Sequence, residues 1–203
     1  MYAKNKLLVI VDMNNGFTRE GVFKNSYLEA LIPDINALAH SYDASGDDIA
    51  LINEQHSINS VEFKIFPPHC IAGTSEAEIV DELKWIMNDH QIFYKNSTNG
   101  MFNDRFCEYL YNARFREVVI VGGVTDICVF EMALSMKKFF DNANMEIPVI
   151  VAKNLVDTYD APWHDRDKYS EAAFMLMNQA GIEVKNIDLE IKKKYVKENR
   201  YGK

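Results

Sequence analysis

The sequence predicts an α/β fold: a three-layer αβα arrangement built on a mostly parallel six-stranded sheet with helices on both faces. Three observations predict it. Short β-rich apolar runs alternate with segments of helical periodicity along the chain. The runs are continuously apolar rather than alternating, as strands covered on both faces require. Strand–helix alternation implies right-handed crossovers, which make sheet neighbours parallel. With 203 residues, 48% of them hydrophobic, the chain suffices for one sizeable core and is short for two, so a single domain over 1–203 is expected.

The expected strands are LLVIV (Leu7–Val11), DIALIN (Asp48–Asn53), QIFYK (Gln91–Lys95), EVVIVG (Glu117–Gly122), PVIVA (Pro148–Ala152) and IEVKN (Ile182–Asn186). Between them lie helical faces. Ile32, Ile35, Leu38 and Ala39 share one, with Pro33 expected in its first turn. Ser75 and Glu78 read as a capping box before Ile79, Leu83, Ile86 and Met87. Phe106, Leu110 and Ala113 give a third face, and Val129, Ala133, Met136 and Phe140 a fourth. Ala172, Leu176 and Ala180 give a fifth, with Gly181 as its stop. Residues 187–203 read as a charged C-terminal extension to which no chemistry is assigned.

Composition narrows the function. The net charge is −8, whereas a nonspecific nucleic-acid binder needs a basic surface, so no nucleic-acid partner is expected. The first apolar run is five residues long and is followed by charged and turn residues. That is far short of the roughly 18 residues of a membrane span, and no signal-peptide pattern is read, so no membrane association and a cytoplasmic location are expected. The three cysteines, Cys70, Cys107 and Cys128, are odd in number and form no CxxC. A disulfide framework is not expected, and one reactive thiol is worth testing.

In an open parallel sheet, ligands bind beyond the carboxyl ends of the strands. Asp12 follows the first strand, Glu54 and His56 the second, Lys95 ends the third, and Cys128 follows the fourth past a turn. Each alone has a bland reading: a turn aspartate, a solvated lysine, an inert core cysteine. Together they are chemically coherent. A thiolate is a strong nucleophile; an unperturbed thiol has a pKa of ~8.5, and a helix N-terminus and Lys95 would lower it. Asp12 would take the thiol proton and return it to a leaving amine, with Lys95 keeping the carboxyl ionised. The glycines before Cys128 let backbone N–H groups converge on a developing oxyanion, a contribution of ~3–4 kcal/mol per donor.

Asp12 in VIVDMNNGF, Lys95 in FYKNSTNGMF and Cys128 in GGVTDICV resemble the Asp–Lys–Cys triad of the isochorismatase-like cysteine hydrolases, in that family's order and over nearly the whole chain. The resemblance implies an isochorismatase-like fold and a cis peptide at Gly123–Val124. It also implies an oxyanion hole from the N–H groups of Val124 and Cys128. The segment NEQHSINSVEFKIFPPHCIAGT (residues 53–74) resembles the nicotinamidase (pyrazinamidase) subfamily, whose signature FPPHCIAGT matches here. That likeness implies a divalent metal held by Glu54, His56 and His69, with Glu62 as a fourth ligand. Imidazole and carboxylate ligands suit zinc, with manganese or iron as alternatives. Glu54 stands where an aspartate is usual, and Glu62 follows His56 at a short spacing. On spacing alone, a polar surface loop with two unrelated histidines explains the segment equally well.

Phe17 and Phe102 are candidate ring-stacking walls for the substrate, with core packing as the other reading. Asp126 reads as structural, Cys70 and Cys107 as packing residues, and His164 and Asp165 as a solvated loop or a cap over the site. Three functions remain open. The first is a metal-assisted nicotinamidase, converting nicotinamide to nicotinate and ammonia through a Cys128 thioester in NAD salvage. The second is a metal-independent cysteine hydrolase of another small amide, ureido or isochorismate-like compound. The third is a non-catalytic binding or thiol-redox module. A small amide is the expected partner, and a homo-oligomer is compatible with the family resemblance.

Overall fold

The computed structural model describes residues 5–189. Six strands form one sheet: β1 (Leu7–Val11), β2 (Asp48–Glu54), β3 (Gln91–Lys95), β4 (Val118–Gly123), β5 (Val149–Asp157) and β6 (Glu183–Lys185). Their order is β3-β2-β1-β4-β5-β6, and every pairing is parallel. The helices are α1 (Asn15–Thr18), α2 (Ser26–Ala44), α3 (Ile86–Asp89), α4 (Asp104–Ala113), α5 (Phe130–Asn142) and α6 (Arg166–Gln179).

β1 shows why the strands lack alternation. All five of its residues are buried, Leu8 and Ile10 facing Ile32, Ile35 and Leu38 of α2, and Leu7, Val9 and Val11 packing in the layer that contains α4, α5 and α6. Apolar side chains on both faces gain ~25 cal/mol per Å² removed from water, so a continuous run is selected. The faces read for α4 and α5 are the buried ones: Phe106 and Leu110, then Val129, Ala133, Met136 and Phe140.

Three local expectations are corrected. The helix expected from Ser75 to Met87 does not form. Thr74 precedes a short 3-10 turn without a side-chain cap, and Glu78 is extended. Tertiary pairing overrides the local pattern here: Asn15 N–H donates to Glu78 O and Val80 N–H to Met13 O, so the segment bridges the end of β1. Pro33 lies inside α2 rather than in its first turn, because the helix begins earlier, where the Asn25 side chain accepts from Tyr27 N–H. In α6 the buried residues are Ala173, Phe174 and Met177, while Leu176 is exposed; the true face is shifted by one position from Ala172, Leu176 and Ala180. Gly181 does end that helix in the left-handed region at φ 85°. Of the charged C-terminal extension, residues 190–203 lie outside the described residues. No helix among the described residues is long and apolar enough to cross a membrane.

The glycine pair ending β4 is dictated by crowding. Gly122 has φ 105°, and a Cβ there would sit 2.1 Å from Val11 O. Gly122→Ala is therefore expected to lose about 3 kcal/mol or more of folding stability, from backbone strain plus overpacking. Gly46, also at positive φ but facing open space, is the control, and its alanine variant should lose only about 1–2 kcal/mol. Urea denaturation midpoints of the two variants check this; equal losses would show that the Val11 contact does not matter.

Candidate active site

Parallel register brings the charged groups together. Val11 of β1 pairs with Ile52 of β2 and Gly122 of β4, so Asp12 emerges between them; Glu54 pairs with Lys95 across β2 and β3. Asp12 turns sharply at φ 50°, an uncommon conformation for a residue with a Cβ, and its Oδ1 accepts the Glu54 N–H at 2.9 Å. β4 leads through the cis peptide Gly123–Val124 into a π-type turn, Thr125–Val129, which carries Cys128 just ahead of α5.

Lys95 is the hub. Its Nζ lies 2.9 Å from Asp12 Oδ2, 3.4 Å from Glu54 Oε1 and 3.7 Å from Cys128 Sγ. A carboxylate oxygen of Asp12, one of Glu54 and Cys128 Sγ lie within 4.8 Å of one another. All four side chains are buried. Burial disfavours the ammonium, but Asp12, Cys128 and Glu54 outweigh it and hold the Lys95 pKa well above the ordinary value. Burial likewise pushes Asp12 up to about 6, against the downward pull of Lys95. Burial raises the Cys128 thiol well above its ordinary value, and Lys95 only partly offsets this. The sequence argument expected a lowered thiol pKa; the structure gives a resting thiol, because desolvation exceeds the attraction of a lysine already shared with two carboxylates. An Asp12 carboxyl near 6 is mostly ionised at neutral pH and well matched to accept a proton.

Beside this hub is a group suited to a cation. Glu54, His56 and His69 each place one ligand atom within 4.8 Å of the others. His56 Nε2 is 2.9 Å from Glu54 Oε1 and 3.4 Å from Glu62 Oε2, and His69 Nε2 is 3.7 Å from Glu54 Oε2. His56 Nε2, Glu54 Oε1 and Glu62 Oε2 are nevertheless buried without an aligned hydrogen bond. Their proximity is ionic in distance but misdirected for donation, as expected of lone pairs aimed at a common point. The outer nitrogens are spoken for: His56 Nδ1 faces Asn96 Oδ1 at 3.4 Å, and His69 Nδ1 donates to Pro67 O at 2.8 Å. This leaves both Nε2 atoms turned inward, as ligating imidazoles are held. Despite its burial, Glu54 is held below the usual carboxylate range by Lys95 and the two histidines, and it offers an anionic ligand. Asp12, Glu54 and Glu62 against Lys95 leave two negative charges, which a divalent ion would neutralise. The residues fit a metal of the zinc type.

Above both groups opens a cleft of about 530 Å³. Phe17, Phe23, Phe66 and His69 form one wall, Val124, Ile127 and Cys128 the floor, and Tyr159 to Trp163 contribute the opposite side. Phe17 meets His69 edge-on at 5.6 Å and Phe23 meets it at 4.7 Å. Phe102 is not brought there: it is 79% exposed and absent from the lining, because Asn99 caps the Gly100–Phe102 turn and points it outward. Phe23, Asn96, Thr98 and the link between Asp126 and His164 escaped the sequence reading. No periodic signal marks them; the fold alone brings Phe23 and Thr98 to the cleft, Asn96 to His56, and His164 to Asp126. His164 is not solvated but buried, with Nε2 2.8 Å from Asp126 Oδ2.

Comparison with known proteins agrees with this geometry. The isochorismatase domain model matches residues 6–187. Nicotinamidase 1 of Arabidopsis thaliana is 29% identical over 77% of this chain and 71% of its own length. Among solved structures, an isochorismatase-like hydrolase from Alkaliphilus metalliredigens superposes with a TM-score of 0.76 at 23% identity, covering 93% of this chain and 98% of that one. The pyrazinamidase of Pyrococcus horikoshii, solved in complex with zinc, superposes with a TM-score of 0.74 at 23% identity, covering 90% and 99%. At these identities the structural likeness is one of fold.

Removing the hub's cation leaves buried carboxylates facing each other. Lys95→Met is expected to destabilise the metal-free protein by about 3–5 kcal/mol, the usual consequence of deleting one partner of a buried ion pair. Chemical denaturation of the wild type and variant measures it; a change below 1 kcal/mol would mean that screening as strong as bulk water, a dielectric of ~80, reaches the site after all.

Proposed function

The chain belongs to the isochorismatase family, and we propose that this amidohydrolase is a nicotinamidase, releasing nicotinate and ammonia from nicotinamide within NAD salvage. One observation carries the reading. A thiol lining an aromatic-walled cleft is backed by a buried lysine that touches both it and a carboxylate, beside the Glu54, His56 and His69 group. Amide hydrolysis by covalent catalysis needs a nucleophile, a base within reach of it, and a cation that keeps the base anionic; the first two must share one proton.

In the proposed reaction the substrate ring packs between Phe17, Phe23 and Phe66, with its carboxamide over Cys128. Cys128 Sγ attacks the carboxamide carbon as its proton passes to Asp12. The oxyanion that forms is met by the N–H groups of Val124 and Cys128. Asp12 returns the proton to nitrogen, ammonia leaves, and a thioester remains on Cys128. Asp12 then takes a proton from water as its oxygen attacks the thioester carbon. Collapse frees nicotinate, and the sulfur regains its proton. Lys95 stays charged throughout and holds the Asp12 carboxylate and the sulfur at fixed separation. Glu54, His56 and His69, with Glu62 beside them, would hold a divalent metal whose chemistry there is to bind the pyridine nitrogen and orient the ring.

A second reading has its own observation. Glu54 Oε1 already serves Lys95 at 3.4 Å and His56 at 2.9 Å, so the acidic group is partly self-neutralised without an ion. That arrangement suits a metal-independent hydrolase of another small amide in the same cleft.

Cys128→Ala is expected to lower ammonia release from nicotinamide by at least about a thousandfold, as deletion of a nucleophile does. Undiminished release excludes the thioester route. Separately, elemental analysis of purified protein should find a divalent ion that His69→Ala fails to retain. An active, metal-free and chelator-insensitive wild type would instead select the second reading.

A further inference from the structure

We propose that His164 is a positioning residue. Through Asp126 it locks the cleft-lining segment 159–163 onto the nucleophile turn, and so sets how far the cleft opens above Cys128.

The segment runs from the end of β5 to the start of α6 and supplies Tyr159, Asp160, Ala161 and Trp163 to the cleft, Trp163 at its mouth with 78% of its surface exposed. His164 turns back from it into the interior, where only 3% of it is exposed. The ring is stacked between Tyr159 and Tyr169, with centroids 3.8 Å and 3.9 Å away and planes within 25° of parallel. Its Nδ1 is 2.9 Å from Tyr159 O and its Nε2 is 2.8 Å from Asp126 Oδ2. The carbonyl only accepts, so Nδ1 donates to it, and Nε2 and the Asp126 carboxyl share a proton between them. One bond folds the segment on itself. The other crosses to the turn that carries Cys128 two residues further on. Ala161 and His164 also exchange backbone hydrogen bonds at 2.9 Å in both directions, so the chain carrying Trp163 closes on itself.

A loop that needed only internal closure would have that from the Ala161–His164 pair and from the Arg166–Asp157 ion pair at its base. The bond to Asp126 adds a fixed distance between the cleft wall and the nucleophile turn. A hydrogen bond of 2.8 Å is directional, so the wall is held in one place rather than merely nearby. Buried side chains with perfectly placed partners at a site's edge are the usual means of holding first contacts within tolerance.

The inference rests on the proposed chemistry only in taking Cys128 as the reactive thiol; the substrate's identity does not enter. His164→Phe keeps a flat ring between Tyr159 and Tyr169 but cannot donate, and Asp126→Ala breaks the same link from the other end. Full-length wild type and variants are alkylated with iodoacetamide, which is small, and with a biotin-tagged maleimide, which is bulky; modification at Cys128 is followed by peptide mass spectrometry. The bulky-to-small rate ratio should rise about tenfold in both variants, the scale of one lost hydrogen bond. A folded His164→Phe with a ratio near that of the wild type overturns the proposal, and if that variant does not fold, Asp126→Ala decides by the same criterion. In nicotinamide turnover, KM should rise more than kcat falls. A raised alkylation ratio without nicotinamide turnover in any of the proteins leaves the positioning role standing and overturns the nicotinamidase reading instead.

Discussion

The site depends on one buried ammonium. Lys95 is nearly inaccessible to water, and so are the two carboxylates and the thiol around it. An isolated charge there would be intolerable, and so would either carboxylate alone. Each is stable only because the others are present. That mutual requirement explains why residues far apart in numbering meet: a fold that leaves one of the charges without its partner loses several kcal/mol, on the order of 3–5. It also explains why the sheet order matters. β1, between β2 and β4, is the strand from which both sides of the cleft diverge, and its end delivers Asp12 to the point where Lys95, Glu54 and Cys128 converge.

The same electrostatics bear on how a resting thiol would serve the proposed reaction. Burial keeps Cys128 protonated, and burial also brings Asp12 up to about 6. Desolvation thus moves donor and acceptor together and leaves the proton poised between neighbours rather than lost to solvent. A site that simply stabilised thiolate would hold a nucleophile ready for any electrophile. In the proposed reaction, a thiol beside an ionised carboxylate would generate thiolate only as the attack proceeds, with Lys95 near both groups, 2.9 Å from the oxygen and 3.7 Å from the sulfur.

Much of this was legible in the sequence, for physical reasons that differ by residue. Strands buried on both faces must be continuously apolar, so β1 and β4 announce themselves, and the carboxyl-edge rule then points to Asp12, Lys95 and Cys128. The inward turn of His56 and His69 was legible only as a motif, since what aims them is Asn96 and a backbone carbonyl at Pro67, neither of which has a periodic signature. The segment around Glu78 misled because its local pattern favours a helix, while the backbone groups of Met13 and Asn15 needed partners more. Phe102 misled because distance along the chain from Lys95 says nothing about direction; a capped turn sent it to solvent.

The Asp126–His164 link is the case where sequence reasoning had both residues and could not join them. Asp126 alone is a turn residue and His164 alone a loop histidine. Their meaning comes from burial: a carboxylate under the nucleophile turn needs a donor, and the loop that could supply one also forms the wall of the cleft. Stability and site geometry then share one requirement. Satisfying the aspartate forces the loop inward, and the inward loop completes the cleft. The ion-pair hub obeys the same logic at the cleft floor, where satisfying the lysine forces β1, β2, β3 and the turn after β4 into contact. In both places a buried polar group is the means by which a distant stretch of chain is made to take up one position, since the alternative positions would leave that group unpaired.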